Sequence, residues 1–215
     1  ITSLYRVMKR LNIKFYKGMK IKDTSKRKHN KKYNTPENIG EKWQIDVKYV
    51  PKECKTKDIP ADKNFYQYTC IDEASRERFL FWYEEHIPEN TVNFVKKCID
   101  HYEYKPKEIQ TDNGIEFTYN QAKIKKIHPM DELLNELGIK HHEIRPRAPA
   151  HNGKVKRSHR NDNERFYSYL KFYSLDDLRK QCKAYLKRSN NIPMAVLNYK
   201  TPLEKRAELK VFMVA

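Results

Sequence analysis

Acidic residues are in short supply in this chain: its 215 residues include 28 Asp and Glu against 45 Lys and Arg, a formal charge of +17. Long apolar runs are missing as well. None approaches the roughly 20 residues a helix needs to span a bilayer, and mean hydropathy is −0.98. That excludes a helical membrane protein, and no stretch reads as a signal peptide. Closely spaced cysteines are absent. Cys54, Cys70, Cys98 and Cys182 lie far apart, without the spacing of zinc ligands. Cys70, Cys98 and Cys182 sit among apolar neighbours and read as small core residues. Reduced thiols point to an intracellular, cytoplasmic protein. His141, His142 and His151 have no Cys beside them and read as ordinary loop or strand histidines. No internal repeat is visible.

What is abundant is positive charge, which favours a polyanionic partner, nucleic acid before others. Leu4, Val7, Met8 and Leu11 form a helical stripe, with Arg6, Lys9 and Arg10 off it. A lone helix this short is marginal in water, so residues 1–13 read as the remnant of something larger. Lys14 to Lys32 holds nine Lys or Arg and one acid, Asp23. Such a block repels itself, and residues 14–40 read as a basic linker that tracks DNA. The chain begins at Ile1, not Met, and reads as a fragment.

From Glu41 the pattern changes. Trp43, Ile45, Val47 and Tyr49 alternate with Gln44, Asp46 and Lys48, which is strand periodicity. Phe65 to Asp72 and Arg78 to Tyr83 read as two further strands joined by a short turn. A helix is predicted from about Glu89, with Pro88 before it, then a short strand from Glu108 to Thr111. Met130, Leu133, Leu134 and Leu137 mark another helix that Gly138 stops, and residues 139–144 form a fifth strand. One helix is predicted from Gly153 to Leu170. A last one opens at Ser174-Leu175-Asp176-Asp177, which has the form of a capping box. The order describes an α/β chain with a mixed five-stranded sheet flanked by helices.

Three short contexts carry the chemistry: Trp43-Gln44-Ile45-Asp46; Thr111-Asp112-Asn113-Gly114-Ile115-Glu116-Phe117; and His151-Asn152-Gly153-Lys154-Val155-Lys156-Arg157-Ser158-His159-Arg160. Together they resemble the DDE catalytic core of insertion-sequence transposases and retroviral integrases. The tail Thr201-Pro202-Leu203-Glu204-Lys205 resembles a motif at the end of that core. The resemblance implies a ribonuclease-H-like fold and metal-dependent DNA strand cleavage and transfer. It implies a catalytic core over 41–190, a C-terminal tail over 191–215, and residues 1–13 as the end of a helix-turn-helix. The partners it implies are DNA, as element ends and target, and further copies of the chain on that DNA. No small-molecule substrate is implied, and the location would be the nucleoid.

Carried over residue by residue, Asp46 and Asp112 are the catalytic carboxylates, which in an intact family site share two Mg²⁺ or Mn²⁺ ions. Hard cations want oxygen ligands, hence carboxylates. Glu116 reads as structural or DNA-facing. The third acid of the family is absent: Lys156 stands where Glu belongs. That exchange removes a ligand and adds a cation, so catalysis is expected to be impaired. The gap from Asp112 to Lys156 is longer than usual in the family, and the extra residues are assigned to the loop Asn120 to His128. Of the other acids, Glu164 lies too far along the helix to substitute, and Asp72 reads as a turn residue. Lys154, Lys156, Arg157 and Arg160 are predicted to grip phosphates, and Lys156, Arg160, Asn163 and Tyr167 to share one DNA-facing side of their helix. Two alternatives stay open: a non-catalytic DNA-binding remnant or regulator on the same fold, and a basic nucleic-acid-binding protein outside the family.

Overall fold

The computed structural model describes residues 34–120, 122, 124–145 and 152–214. The expected helix at 1–13, the linker up to residue 33 and His151 lie outside the described residues. The strands are β1 (Lys42–Tyr49), β2 (Tyr66–Asp72), β3 (Arg78–Tyr83), β4 (Glu108–Thr111) and β5 (Lys140–Glu143). The helices are α1 (Pro88–Tyr102), α2 (Pro129–Leu137), α3 (Gly153–Asp162), α4 (Leu175–Asn190) and α5 (Pro202–Val214). The sheet order is β3-β2-β1-β4-β5. β1, β2 and β3 pair antiparallel, while β1, β4 and β5 pair parallel. This is the mixed five-stranded sheet read from the alternation.

Period-two alternation gives the sheet two cores. Trp43 and Ile45 of β1 pack with Tyr68, Cys70, Phe94, Tyr102, Ile109 and Leu134 on the α1–α2 side. The Trp43 and Tyr102 ring centroids are 4.7 Å apart. Leu80, Trp82, Phe172, Leu178 and Cys182 form the core on the α3–α4 side. Burying each large apolar side chain stabilises the fold by about 1.5–3 kcal/mol. All four cysteines are buried and free, Cys54 among them.

Local signals set the helix ends. Pro88 occupies the first turn of α1. His128 caps α2 by accepting the Met130 N–H, and Gly138 ends it at φ +69°, a conformation that favours glycine. Ser174 accepts the Asp177 N–H at 3.1 Å, as a capping box requires.

Two elements differ from expectation. The helix predicted from Gly153 to Leu170 is α-helical only to Asp162 and continues as a π-turn over Asn163–Tyr167. The wider turn changes the phase, so Tyr167 points inward and does not join Lys156 and Arg160 on a DNA-facing side. It is 4 % exposed, and its hydroxyl accepts the Trp82 indole N–H at 2.9 Å. The second difference is α5, which occupies a tail that carried no predicted helix.

Candidate active site

Asp46 lies on β1 with its side chain on the face opposite Trp43 and Ile45, the face that α3 covers. The parallel pairing of β1 and β4 runs to Gln44 opposite Gln110. Two more residues along each strand set Asp46 level with Asp112. Asp46 is 5 % exposed. Burial, then repulsion from Asp112, pushes its carboxyl up to about 7, while Lys156 and the Val47 N–H pull it back. Asp112 accepts the Gly114 N–H at 3.1 Å, which folds the Asp-Asn-Gly turn at the strand end. Glu116 adds to the negative field, its own carboxyl raised by burial and by Asp112. Its carboxylate packs against Gly114, where an added Cβ would stand 2.5 Å from Oε2.

α3 brings Lys156 and His159 to the acids. Lys156 is half-buried and its charge acts on Asp46. His159, one turn further on, places Nδ1 3.7 Å from Asp46 Oδ2 and Nε2 3.0 Å from the Thr69 hydroxyl. Thr69 is the β2 residue directly across from Asp46. Burial pushes the imidazole down to about 3, so it is neutral beside the carboxylate. Lys48, two residues after Asp46 on the same face, bonds to Asn163 and lies 4.4 Å from the Tyr167 ring centroid. Burial lowers its ammonium to about 8.

Buried hydrogen bonds fix the first turn of α3 to the sheet. Gln44 donates to Glu73 at 2.7 Å and accepts the Val155 N–H at 3.2 Å. Glu73, wholly buried, is ion-paired with Lys154. Gln110 donates to Asn152, which donates to the Ile45 carbonyl at 3.4 Å. Gln44 and Gln110 each stand two residues before an acid, so the residues that hold α3 also set position 156 beside Asp46.

Of the residues expected to grip phosphates, Lys154 turns its ammonium to Glu73. Lys156 faces the acids. Arg157 is exposed, and Arg160 pairs with exposed Glu164 at 2.8 Å. Asp72 does not join Asp46: it sits opposite Trp43, accepts the Gly40 N–H from the segment before β1, and accepts the Ala74 and Ser75 N–H groups at the hairpin turn. His141 bonds to Asp131 at 2.6 Å. Among the described residues, no group of three or more His, Cys, Asp or Glu is placed to hold a metal. Gln44, Lys48 and His159 were missed as members of the site. Two-residue spacing from Asp46 marks the first two, and three-residue spacing from Lys156 marks the third.

A family model described as Integrase core domain matches residues 36–149, and a second of the same description matches 137–202. The ORF3 protein of Spiroplasma virus SpV1-C74, which carries the name of an integrase, is 30 % identical over 178 residues. The match takes in 78 % of this chain, but the chain spans only 47 % of that relative's length. Among solved structures, the HTLV-2 integrase catalytic core domain, in complex with magnesium and in dimeric form, is similar at TM-score 0.58 and 20 % identity. That match covers 79 % of this chain and 97 % of the other. The BIV integrase catalytic core is similar at TM-score 0.59 and 17 % identity, over 82 % and 99 % of the two chains. At these identities the likeness concerns the fold, which is ribonuclease-H-like.

Proposed function

The chain belongs to the integrase core domain family, and on that premise we propose that it is a DNA integration and transposition protein whose catalytic power is reduced by Lys156. The observation that carries this reading is the juxtaposition of Asp46, within β1, and Asp112, just past the end of the neighbouring parallel β4, near the helix that bears Lys156. Asp46 and Asp112 offer a hard divalent cation its oxygen donors, and the magnesium named with the HTLV-2 core supports Mg²⁺ or Mn²⁺ as that cation. When bound, it supplies Lewis-acid activation of the attacking oxygen. Two carboxylates with an ammonium beside them suit one ion better than the two of an intact family site.

The chain's own residues do the rest. The Val47 N–H bonds to Asp46, and His159 packs beside it. Lys156 and Arg160 provide positive charge for phosphates beside the acids, and Arg157 provides it on the other flank of α3. Lys154 contributes chiefly by anchoring α3. Within this reading, residues 41–190 are the catalytic core, 1–13 the end of a helix-turn-helix, 14–40 a basic linker and 191–215 a tail. The dimeric form named with the HTLV-2 core supports assembly of several copies on DNA, in the cytoplasm at the nucleoid.

The test is DNA strand transfer with Mg²⁺ or Mn²⁺. The natural chain is expected to bind DNA and to show little or no transfer. Lys156→Glu is expected to gain transfer by at least about tenfold, a modest share of what metal stabilisation is worth. Adding Asp112→Asn to that variant should abolish the gain. Equal, robust transfer by the natural chain and Lys156→Glu would overturn the assigned role of Lys156. Lys156 also favours a second reading, a DNA-binding regulator without catalysis. DNA binding by both proteins with no transfer by either would select it.

A further inference from the structure

α3 is a ridge with two cationic flanks. α3 and the π-turn after it set Lys156 and Asn163 toward Asp46 and Lys48, and Arg157, Asn161 and Arg165 toward the other side. That opposite flank forms the wall of a second groove of about 290 Å³. Arg157, Arg165 and Arg188 of α4 line it together with apolar Ile71, Ile192 and Met194, and no acid is among its lining residues. Arg78 and Lys154 also line it, but Asp162 and Glu73 neutralise them. Arg157, Arg165 and Arg188 are exposed and come from separate turns or elements, so their charges add across the groove rather than within one helix face.

We propose that this groove takes a single strand of DNA, its phosphates on the arginines and a base on the apolar floor, flanking the duplex held at the acidic pair. Charge selects a polyanion: three exposed arginines and no acid line the groove. The apolar floor selects an unpaired strand. Bases in a duplex keep their faces stacked, whereas an unpaired base offers a face to apolar and arginine side chains. The groove has the size of a small-ligand pocket, too small for a double helix. The inference rests on the DNA reading for the class of ligand, but its residues are separate from the acids.

The experiment is fluorescence anisotropy of the full chain with a labelled blunt duplex and with the same duplex carrying a short single-stranded overhang. The natural chain is expected to prefer the overhang by about tenfold, the worth of roughly one stacked base. Arg165→Glu with Arg188→Glu should erase the preference, leave blunt-duplex affinity within about twofold, and flatten the salt slope on the overhang DNA by about 1.4, two single-strand contacts. Arg165→Ala with Arg188→Ala should lose part of the preference, which guards against misfolding of the charge-reversed variant. Equal affinity of the natural chain for the two DNAs, or a preference that survives both variants, would overturn the proposal. Failure to bind either DNA would sink the DNA reading as well. Intact duplex binding with no overhang preference would sink the groove alone. If a polyglutamate peptide, and not the overhang, lost affinity in the arginine variants, the groove would belong to an acidic protein segment.

Discussion

Three donors converge on Asp162: Arg78 and Gln67 each at 2.8 Å and Tyr185 at 2.7 Å. Arg78 and these hydrogen bonds hold its carboxyl below the usual range although the residue is wholly buried. A carboxyl depressed in the folded state gives stability that is present above its unfolded value and lost as pH falls through the folded one. Acid unfolding should therefore steepen below about pH 4. Asp162→Asn should cost about 3 kcal/mol at neutral pH, because Arg78 is left buried without its counter-charge, and should flatten that acid limb. Urea titrations at pH 3 to 7 would check both; a loss under about 1 kcal/mol would mean that water replaces the pair. Asp46 is also buried, but it accepts the Val47 N–H at 3.1 Å with a neutral imidazole 3.7 Å away, and it is held up at about 7. The two aspartates show what separates a structural carboxylate from one short of a cation. Asp46 is legible in the sequence because its motif and its strand alternation agree. Asp162 is not, because its partners come from β2, β3 and α4 and leave no local periodicity.

α3 depends on the sheet for its position, since its own sequence is strongly polar apart from Val155. Gln44 joins two ends of that contact by bonding to the Val155 N–H and to Glu73. Gln44→Leu keeps the volume but removes a buried bond from each group, and should cost about 2 kcal/mol. Hydrogen exchange should quicken over residues 153–157 before it quickens in β2. Uniform exchange across the chain would show instead that the bond serves general stability. The same variant should weaken any gain of transfer by Lys156→Glu, since position 156 would no longer be held beside Asp46. At this scale the existence and order of the strands and of α1 to α4 were legible, because alternation, Pro88, Gly138 and the Ser174 cap are local signals. The π-turn was not: Phe166 and Tyr167 fit an α-helical spacing equally well. Its phase is set by the buried bonds of Tyr167 to Gln67 and Trp82. The anchoring role of Gln44 and Gln110 was hidden for a similar reason, because each reads simply as the polar half of an alternating strand.

Across the whole molecule, charge and core occupy different stretches of chain. Residues Thr35–Ala215 form one compact unit that contains both cores, while Lys14 to Lys32 carries nine Lys or Arg against one acid. The basic excess was legible from composition, and so was its separation from the apolar alternation that begins at Trp43. How the two cores divide a single sheet was not, since it depends on which strands become neighbours. A chain that begins at Thr35 should consequently melt within about 2 °C of the full chain, because it keeps both described cores. Its DNA affinity should drop much more. Each phosphate neutralised contributes about 0.9 to the salt slope on duplex DNA. If half of the nine cations engage, log Kobs against log salt should flatten by about 4 in the shortened chain. Calorimetry and anisotropy on the two chains separate the possible outcomes. A lower melting point would place residues 1–34 in the stability of the fold, whereas an unchanged slope would make the basic stretch a spacer and leave Lys156, Arg157, Arg160 and the α3–α4 groove to supply the affinity.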